Sequence, residues 1–393
     1  LAAAVAALLL GEAVLRWAGQ SYYWALAKRP DPVLGWRPEA AVSAWQRFEG
    51  GALIETNGLG FRDREHAPDK PDGQVRIAVL GDSFSAAVQV PLEETWWRVL
   101  EGLLHGGGCG GHGADIVAGA APVEVLSFAV SGYSPAQSLL AFRHEARRFA
   151  PDLVLLELFV GNDLIEGTGA LDDESLRPYL VLEDGQLVLD DRFVDLPAFR
   201  LRSSSLGRAV AWLTRHSRIL QTVVQARHAL RGRARDVSGA VAEPGVDSNV
   251  YREPVSEGWR SAWSVTEAIL ATFAEEVRGA GAEPLLLIAG TGAQVHPDAQ
   301  ASAAFARHVG VPDLGYPVRR LLSAAFVADL PAVNLPLVMA GEAERSGVML
   351  HGFENAVPGF GHWNADGHRV VANAAAEALC REPRLAGRLQ TSR

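Results

Sequence analysis

The stretch Val75-Arg76-Ile77-Ala78-Val79-Leu80-Gly81-Asp82-Ser83 decides how this chain is read. A short apolar run closes on a glycine and two polar residues, the pattern of a strand buried on both faces. The pattern returns along the chain. Val123–Val130 runs into Ser131-Gly132, and Asp152–Phe159 leads to Gly161-Asn162-Asp163. Glu283–Ala289 ends at Gly290-Thr291-Gly292, and a shorter run lies at Ala332–Leu335. Helical patterns fall between them. These are Trp96–Leu104, a helix capped by Ser134 with Pro135 at its first position and running to about Phe149, Trp259–Gly279 and Asp366–Leu379. Apolar strands alternating with helices predict an α/β three-layer sandwich around a central parallel sheet. Such sheets bind ligands beyond the carboxyl ends of their strands. Ser83, Gly132 and Asn162 are therefore expected to converge on one rim.

The chain has 393 residues, 48% of them hydrophobic and 21% charged, enough for a large core. Lys and Arg number 36 against 46 Asp and Glu, a net charge of -10, which argues against nucleic acid as the partner. Two cysteines, Cys109 and Cys380, exclude a disulfide scaffold and a Cys-built zinc site. One bridge or two free thiols both remain open. Gly290–His296 carries no lysine at phosphate-loop spacing and reads as pocket wall. Nothing calls for a metal, nucleotide or flavin, so no cofactor is expected.

Four regions are expected. Residues 1–19 read as a signal anchor or signal peptide: Leu1–Leu10 is unbroken Ala/Val/Leu, and Tyr22-Tyr23-Trp24 with Lys28 and Arg29 follow as an interfacial belt would. Glu12 there would be costly in lipid unless it sits near one face or pairs with Arg16 at i,i+4. Residues 20–74 are loop-rich. Residues 75–164 and 257–393 form the sheet domain. Residues 165–256 interrupt it as an insertion or cap, with a hairpin turning at Asp184-Gly185, an amphipathic helix over Leu206–Leu230 and a loose connector over 232–256. From Arg200 to Arg235 there are nine arginines and no Asp or Glu, a candidate surface for anionic lipid or glycan.

The chemistry rests on four positions. Ser83 ends a strand where the next helix can stabilise negative charge. Gly132 frees a backbone N–H, and the Asn162 side chain can donate beside it. His362, in Gly361-His362-Trp363-Asn364, sits on a loop before the last helix, where a base can reach the rim. His368 lies within that helix and is expected to pack or cap. Trp36, Trp45 and Trp363 either stack on a sugar or pack in the core.

Gly-Asp-Ser, Gly, Gly-Asn-Asp and His-x-Asn, in that order, resemble the SGNH (GDSL-type) hydrolase superfamily. The likeness is nearest to membrane-attached bacterial members related to the alginate O-acetyltransferase group, on Asn57–Asp63, Arg76–Ser83, Gly161-Asn162-Asp163 and Gly361–Arg369. It implies a flavodoxin-like SGNH fold. It also implies Ser83 as nucleophile, His362 as base, and the Ser83 and Gly132 N–H groups with the Asn162 amide as oxyanion hole. Phe84 stands where the motif has Leu. The acid expected two or three residues before the histidine is absent, since Gly359 and Phe360 stand there. Asp366 and Glu354 are the candidate replacements, with Asp298 and Asp163 more remote.

The expected function is a serine-dependent ester hydrolase removing a short acyl group, acetyl by preference, from a cell-envelope glycan or other carbohydrate ester. The alternatives are an O-acyltransferase to an exopolysaccharide and a catalytically idle glycan-binding protein. The expected location is the cell envelope, inner-membrane-anchored with an exported catalytic domain, or secreted or periplasmic if the signal is cleaved.

Overall fold

The computed structural model describes residues 1–105, 109, 122–235, 243 and 246–390. Most of the Gly106–Gly119 loop, and 236–242 and 244–245 of the expected connector, lie outside the described residues. Five parallel strands form the central sheet: β1 (Val75–Leu80), β2 (Val123–Ser127), β3 (Leu153–Phe159), β4 (Glu283–Ala289) and β5 (Ala332–Asn334). Their spatial order is 2-1-3-4-5. The order reverses between β1 and β3, which makes that gap the topological switch point. Ser83 follows β1 and Asn162 follows β3, so both lie at the switch point.

The helices that flank the sheet or build the N-terminal and inserted regions include α1 (Ala2–Trp17), α2 (Trp96–His105), α3 (Pro135–His144), α4 (Pro197–Ser203), α5 (Ser205–His216) and α6 (Arg218–Arg235). They continue with α7 (Glu257–Gly279), α8 (Tyr316–Val327), α9 (Leu335–Ser346) and α10 (Ala365–Arg381). The period-2 geometry of strands divides the core into two layers. Ala78, Leu80, Leu156, Leu286 and Ile288 face a layer built by α3, α7 and α8. Ile77, Val79, Leu155, Leu285 and Leu287 face the layer of α2, α9 and α10. Ser134 and Gln137 close a capping box on α3, and Asn364 caps α10 by accepting from Gly367 N–H at 3.0 Å.

Residues 20–74 are not simply loops. They hold two antiparallel ribbons, Arg29–Asp31 with Gly35–Arg37 and Ser43–Gln46 with Ala52–Glu55. Strands this short, bounded by Gly and Pro, leave little periodicity to read. Beyond them the buried Arg62 guanidinium donates to the carbonyls of Ala86, Ala87 and Val90, just after Ser83. The Asp63 carboxylate accepts from Ser127 N–H at 2.8 Å. The N-terminal segment thus braces the loops after β1 and β2.

Within 165–256, the hairpin Tyr179–Glu183/Gln186–Asp190 turns on Asp184 and Gly185, both at positive φ (49° and 79°). Paired positive φ values are what a tight two-residue hairpin turn needs. The single helix expected over Leu206–Leu230 is two, α5 and α6, broken at Ser217. The break is satisfied from α1. The Glu12 carboxylate accepts from Ser217 Oγ (3.1 Å), Arg218 N–H (2.9 Å) and Ile219 N–H (3.2 Å), and pairs with Arg16 at 2.8 Å. Among the described residues no helix is long and apolar enough to cross a membrane.

Cys109 and Cys380 form a disulfide, with Cα atoms 5.1 Å apart and a sequence separation of 271. It ties the loop after α2 to the end of α10. A link closing so long a loop restricts the unfolded chain, typically by about 2–4 kcal/mol. Cys380→Ala is expected to lower the unfolding free energy by about that amount in urea titration, and reductant is expected to shift the wild type alone. Identical midpoints for the two proteins would show that the bridge is energetically idle.

Candidate active site

The turn after β1 places Ser83 at the start of the short helix Ser83–Ala86, whose first amides have no intrahelical acceptor. Asp82 caps it, accepting from Phe84 N–H at 2.8 Å. Gly81 is at φ +153°, and a Cβ there would stand 2.6 Å from Glu157 Oε2. The turn therefore fits only glycine. Ser83 Oγ lies 2.8 Å from His362 Nε2. The same hydroxyl is 3.3 Å from Asp82 Oδ2, a longer and weaker alternative.

The imidazole is held from its other side by Glu49. Glu49 Oε2 lies 2.6 Å from His362 Nδ1, and Oε1 accepts from His362 N–H at 2.8 Å. One carboxylate thus fixes both the ring and the backbone of the same residue, and sets the tautomer with Nε2 facing Ser83. Neither expected acid does this. Asp366 pairs with Arg369 one helical turn on, and Glu354 is exposed. Asp298 caps the helix Ala299–Val309, and Asp163 accepts from Phe159 N–H. Glu49 comes from the turn of the second ribbon, 313 residues away in sequence. The only local signal was Gly50-Gly51, which marks a turn and says nothing about a base.

Several contacts hold that turn in place. Buried Gln46 donates to Glu49 O at 2.7 Å. Gly50 N–H donates to Asn355 Oδ1 at 2.8 Å, and Asn355 Nδ2 donates back to Gly50 O at 2.7 Å. Gly51 N–H donates to Gln89 O at 2.9 Å. Gly361 has φ +83°, and a Cβ on it would stand 2.4 Å from Glu49 Oε1. Phe84, at the position of the motif's Leu, packs its ring 4.9 Å from His362 and 4.8 Å from Trp363 between centroids.

Burial opposes charge on His362, but Glu49 outweighs it and holds the imidazole pKa above its usual 6.5. Burial pushes Glu49 up, and His362 more than reverses this, leaving it below the usual 4.5. The raised histidine favours the fold fully below its unfolded pKa, and the lowered carboxyl does so above its own. The pair is therefore most stabilising between about pH 4.5 and 6.5. A second carboxyl, Glu243, is buried nearby and accepts from Gly292 N–H (2.8 Å) and Ala293 N–H (3.2 Å). Burial raises its pKa against these bonds and one from Gly361 N–H.

Gly132 follows β2 at φ +78°, with Trp36 Cζ2 3.7 Å from where a Cβ would be. Asn162 follows β3 at the N-cap position of the short helix Asp163–Glu166, its side chain making no capping bond. Ser83, Gly132, Asn162 and His362 are each only partly buried. His368 is buried in α10, its Nδ1 accepting from Trp96 N–H at 3.3 Å, and burial pushes its pKa down to about 3. Trp36 and Trp363 are core residues, and Trp45 is partly exposed. No group of His, Cys, Asp and Glu among the described residues forms a metal-ligand cluster.

No family model matches the chain. An arylesterase of Vibrio mimicus is 33% identical over 90 residues, 23% of this chain and 38% of the arylesterase. The chain therefore spans well under half of that relative. Among solved structures, TesA is 16% identical with a TM-score of 0.37, covering 79% of this chain and 99% of its own. The acetyl xylan esterase AlAXEase is 12% identical with a TM-score of 0.39, covering 77% and 99%. Axe2, an acetylxylan esterase from Geobacillus stearothermophilus, is 10% identical with a TM-score of 0.37, covering 77% and 93%. The alginate O-acetyltransferase likeness has no counterpart among these.

Only neutral His362 can take a proton from Ser83. Ester turnover is therefore expected to rise along an acid limb centred above the ordinary imidazole value of 6.5. Glu49→Gln is expected to move that limb to lower pH and cut kcat by about 10²–10⁴. An unchanged pH–rate profile in this variant would show that Glu49 does not govern the imidazole.

Proposed function

We propose that the protein is a serine ester hydrolase working through Ser83, His362 and Glu49. The observation that carries this reading is the continuous chain of contacts, 2.8 Å from Ser83 Oγ to His362 Nε2 and 2.6 Å from His362 Nδ1 to Glu49. Ser83 Oγ attacks the ester carbonyl while His362 Nε2 takes its proton. The charge that develops on the carbonyl oxygen is met by the Ser83 and Gly132 N–H groups and the Asn162 amide. Collapse expels the alcohol, which receives the proton from His362. Water, deprotonated by His362, then releases the acyl group from Ser83. Glu49 orients the ring and stabilises the imidazolium without itself taking the proton.

The reading of a catalytically idle protein rested on the absent acid, and Glu49 removes that ground. The substrate we favour is a short acyl ester, acetyl by preference, on a carbohydrate. We further propose that the protein is exported to the cell envelope. The Cys109–Cys380 bridge supports this, since structural disulfides persist in oxidising compartments.

A fluorophosphonate probe with intact-mass readout tests the nucleophile. One adduct is expected on wild type and none on Ser83→Ala. Turnover of p-nitrophenyl acetate is expected to fall by about 10⁴ or more in the variant, and wild type is expected to prefer acetate to octanoate. Labelling that survives Ser83→Ala would place the nucleophile elsewhere. Preference for octanoate would refute the short-acyl assignment while leaving the triad intact.

A further inference from the structure

Large apolar side chains are unevenly exposed. Of the 30 among the described residues that face solvent, 14 lie on α1 and α4–α6. Trp17 is 90% exposed, Leu206 66% and Trp212 60%. These helices are one unit, because Glu12 of α1 satisfies the break between α5 and α6, and Gly11 lies against Ile219. The same region carries the arginine-rich, acid-free stretch from Arg200 to Arg235.

Three of its arginines converge. Arg202, Arg208 and Arg215 join Arg29 around a cavity of about 500 Å³ between the first N-terminal ribbon and α4–α5, with Phe199 and Trp212 in its wall. Arg215 is partly engaged by Glu39 at 3.6 Å and by Ala41 O at 3.3 Å. Arg208 donates to Ser203 O and Ser205 Oγ. Arg29 and Arg202 have no ion pair among the described residues and are exposed.

We infer that this face seats on an anionic phospholipid bilayer, with lipid phosphates in the arginine groove and the flanking Leu and Trp side chains at the acyl boundary. Charge complementarity selects this occupant. The chain as a whole carries -10 and is repelled by an anionic membrane, so attraction has to be local, and here it is. Guanidinium groups take phosphate in bidentate fashion. An anionic glycan would use the arginines but not the exposed leucines around them. Amphipathic helices with cationic edges and Trp or Leu on the apolar face lie in the plane of the interface, and α5, which exposes Leu206, Val210, Trp212 and Leu213 and carries Arg208 and Arg215, has that composition. The ribbon that lines the groove also reaches the rim of the sheet: Pro30 pairs in register with Trp36, which lies against Gly132. Membrane seating would therefore bring the candidate active site close to the lipid surface. The inference does not depend on the esterase reading.

The test is co-sedimentation of the full chain with vesicles of phosphatidylcholine alone and of equal parts phosphatidylcholine and phosphatidylglycerol, at fixed salt. Binding at least 10-fold tighter to the anionic vesicles is expected. Each arginine near an anionic surface is worth about fivefold, so Arg29→Gln with Arg202→Gln is expected to weaken that binding about 30-fold. Trp212→Ala is expected to weaken binding to both vesicle types. Both variants are expected to hydrolyse a soluble ester at the wild-type rate, which separates this result from failure of the catalytic reading. Equal binding to both vesicles, or no change in the double variant, would overturn the inference. So would binding to a sulfated oligosaccharide but not to vesicles, or a dimer in sedimentation velocity that Trp212→Ala dissolves while vesicle binding is absent.

Discussion

The Glu49 carboxylate on His362 is the contact around which the rest of the rim is arranged. It uses both oxygens on one residue, at 2.6 and 2.8 Å, so the loop and the ring are fixed together. That geometry dictates its neighbours. Gly361 has to lack a side chain, because a Cβ would fall 2.4 Å from Glu49 Oε1. Gly50 has to turn at φ +64° beneath Gln89 O, where a Cβ would stand at 2.3 Å. Asn355 then clips the turn to the histidine loop from both its donor and its acceptor side. A charge pair at a partly open rim is worth little if its partners wander. Here the partners are held by the backbone.

Beneath Ser83 lies a second constraint of opposite sign. Asp82, Glu157 and Asp163 are fully buried within one cluster, and burial pushes all three pKa values up. Glu157 touches Ser85 Oγ at 3.1 Å and Asp82 N–H at 3.4 Å, under the glycine that opens the turn. Burial opposes charge on all three, and the neighbouring carboxyl groups oppose it further on Glu157 and Asp163. The rim therefore combines an ionised carboxylate on the histidine side with buried carboxyl groups, their charge suppressed, under the serine.

The sheet was legible because its strands are continuous apolar runs that end in Gly and polar residues, a signal that survives without an alignment. The Ser83–His362 contact at 2.8 Å joins two positions that were legible for the same reason, one at a strand end and one at the start of α10. Glu49 was not, because the sequence near His362 carries no acid at the expected spacing, and a partner 313 residues away leaves no local pattern. The ribbon that delivers it alternates buried and exposed residues over only four positions, Ser43–Gln46, too few to stand out from a loop. The break at Ser217 was hidden likewise, since the carboxylate that caps α6 comes from Glu12. The cysteine pair was undecided from composition and settled only by the meeting of Cys109 and Cys380 in space.

A remote acid changes how the site is built. With the acid on the histidine loop, folding of the sheet domain alone would complete the triad. Here it is complete only once residues 20–74 have docked, and that docking is secured on both sides of the serine. Arg62 fills the carbonyls of Ala86, Ala87 and Val90 after the nucleophile, while Asn355 and Gln89 clamp the Glu49 turn. The same segment carries Trp36 against Gly132 and Arg29 at the arginine groove. One N-terminal segment therefore contributes to three places: the orientation of the His362 ring, the wall beside Gly132, and the arginine groove. Displacing it would take Leu34, Trp36 and Phe61 out of the apolar layer on the α3 side and would strip the imidazole of the charge that keeps it raised and aligned.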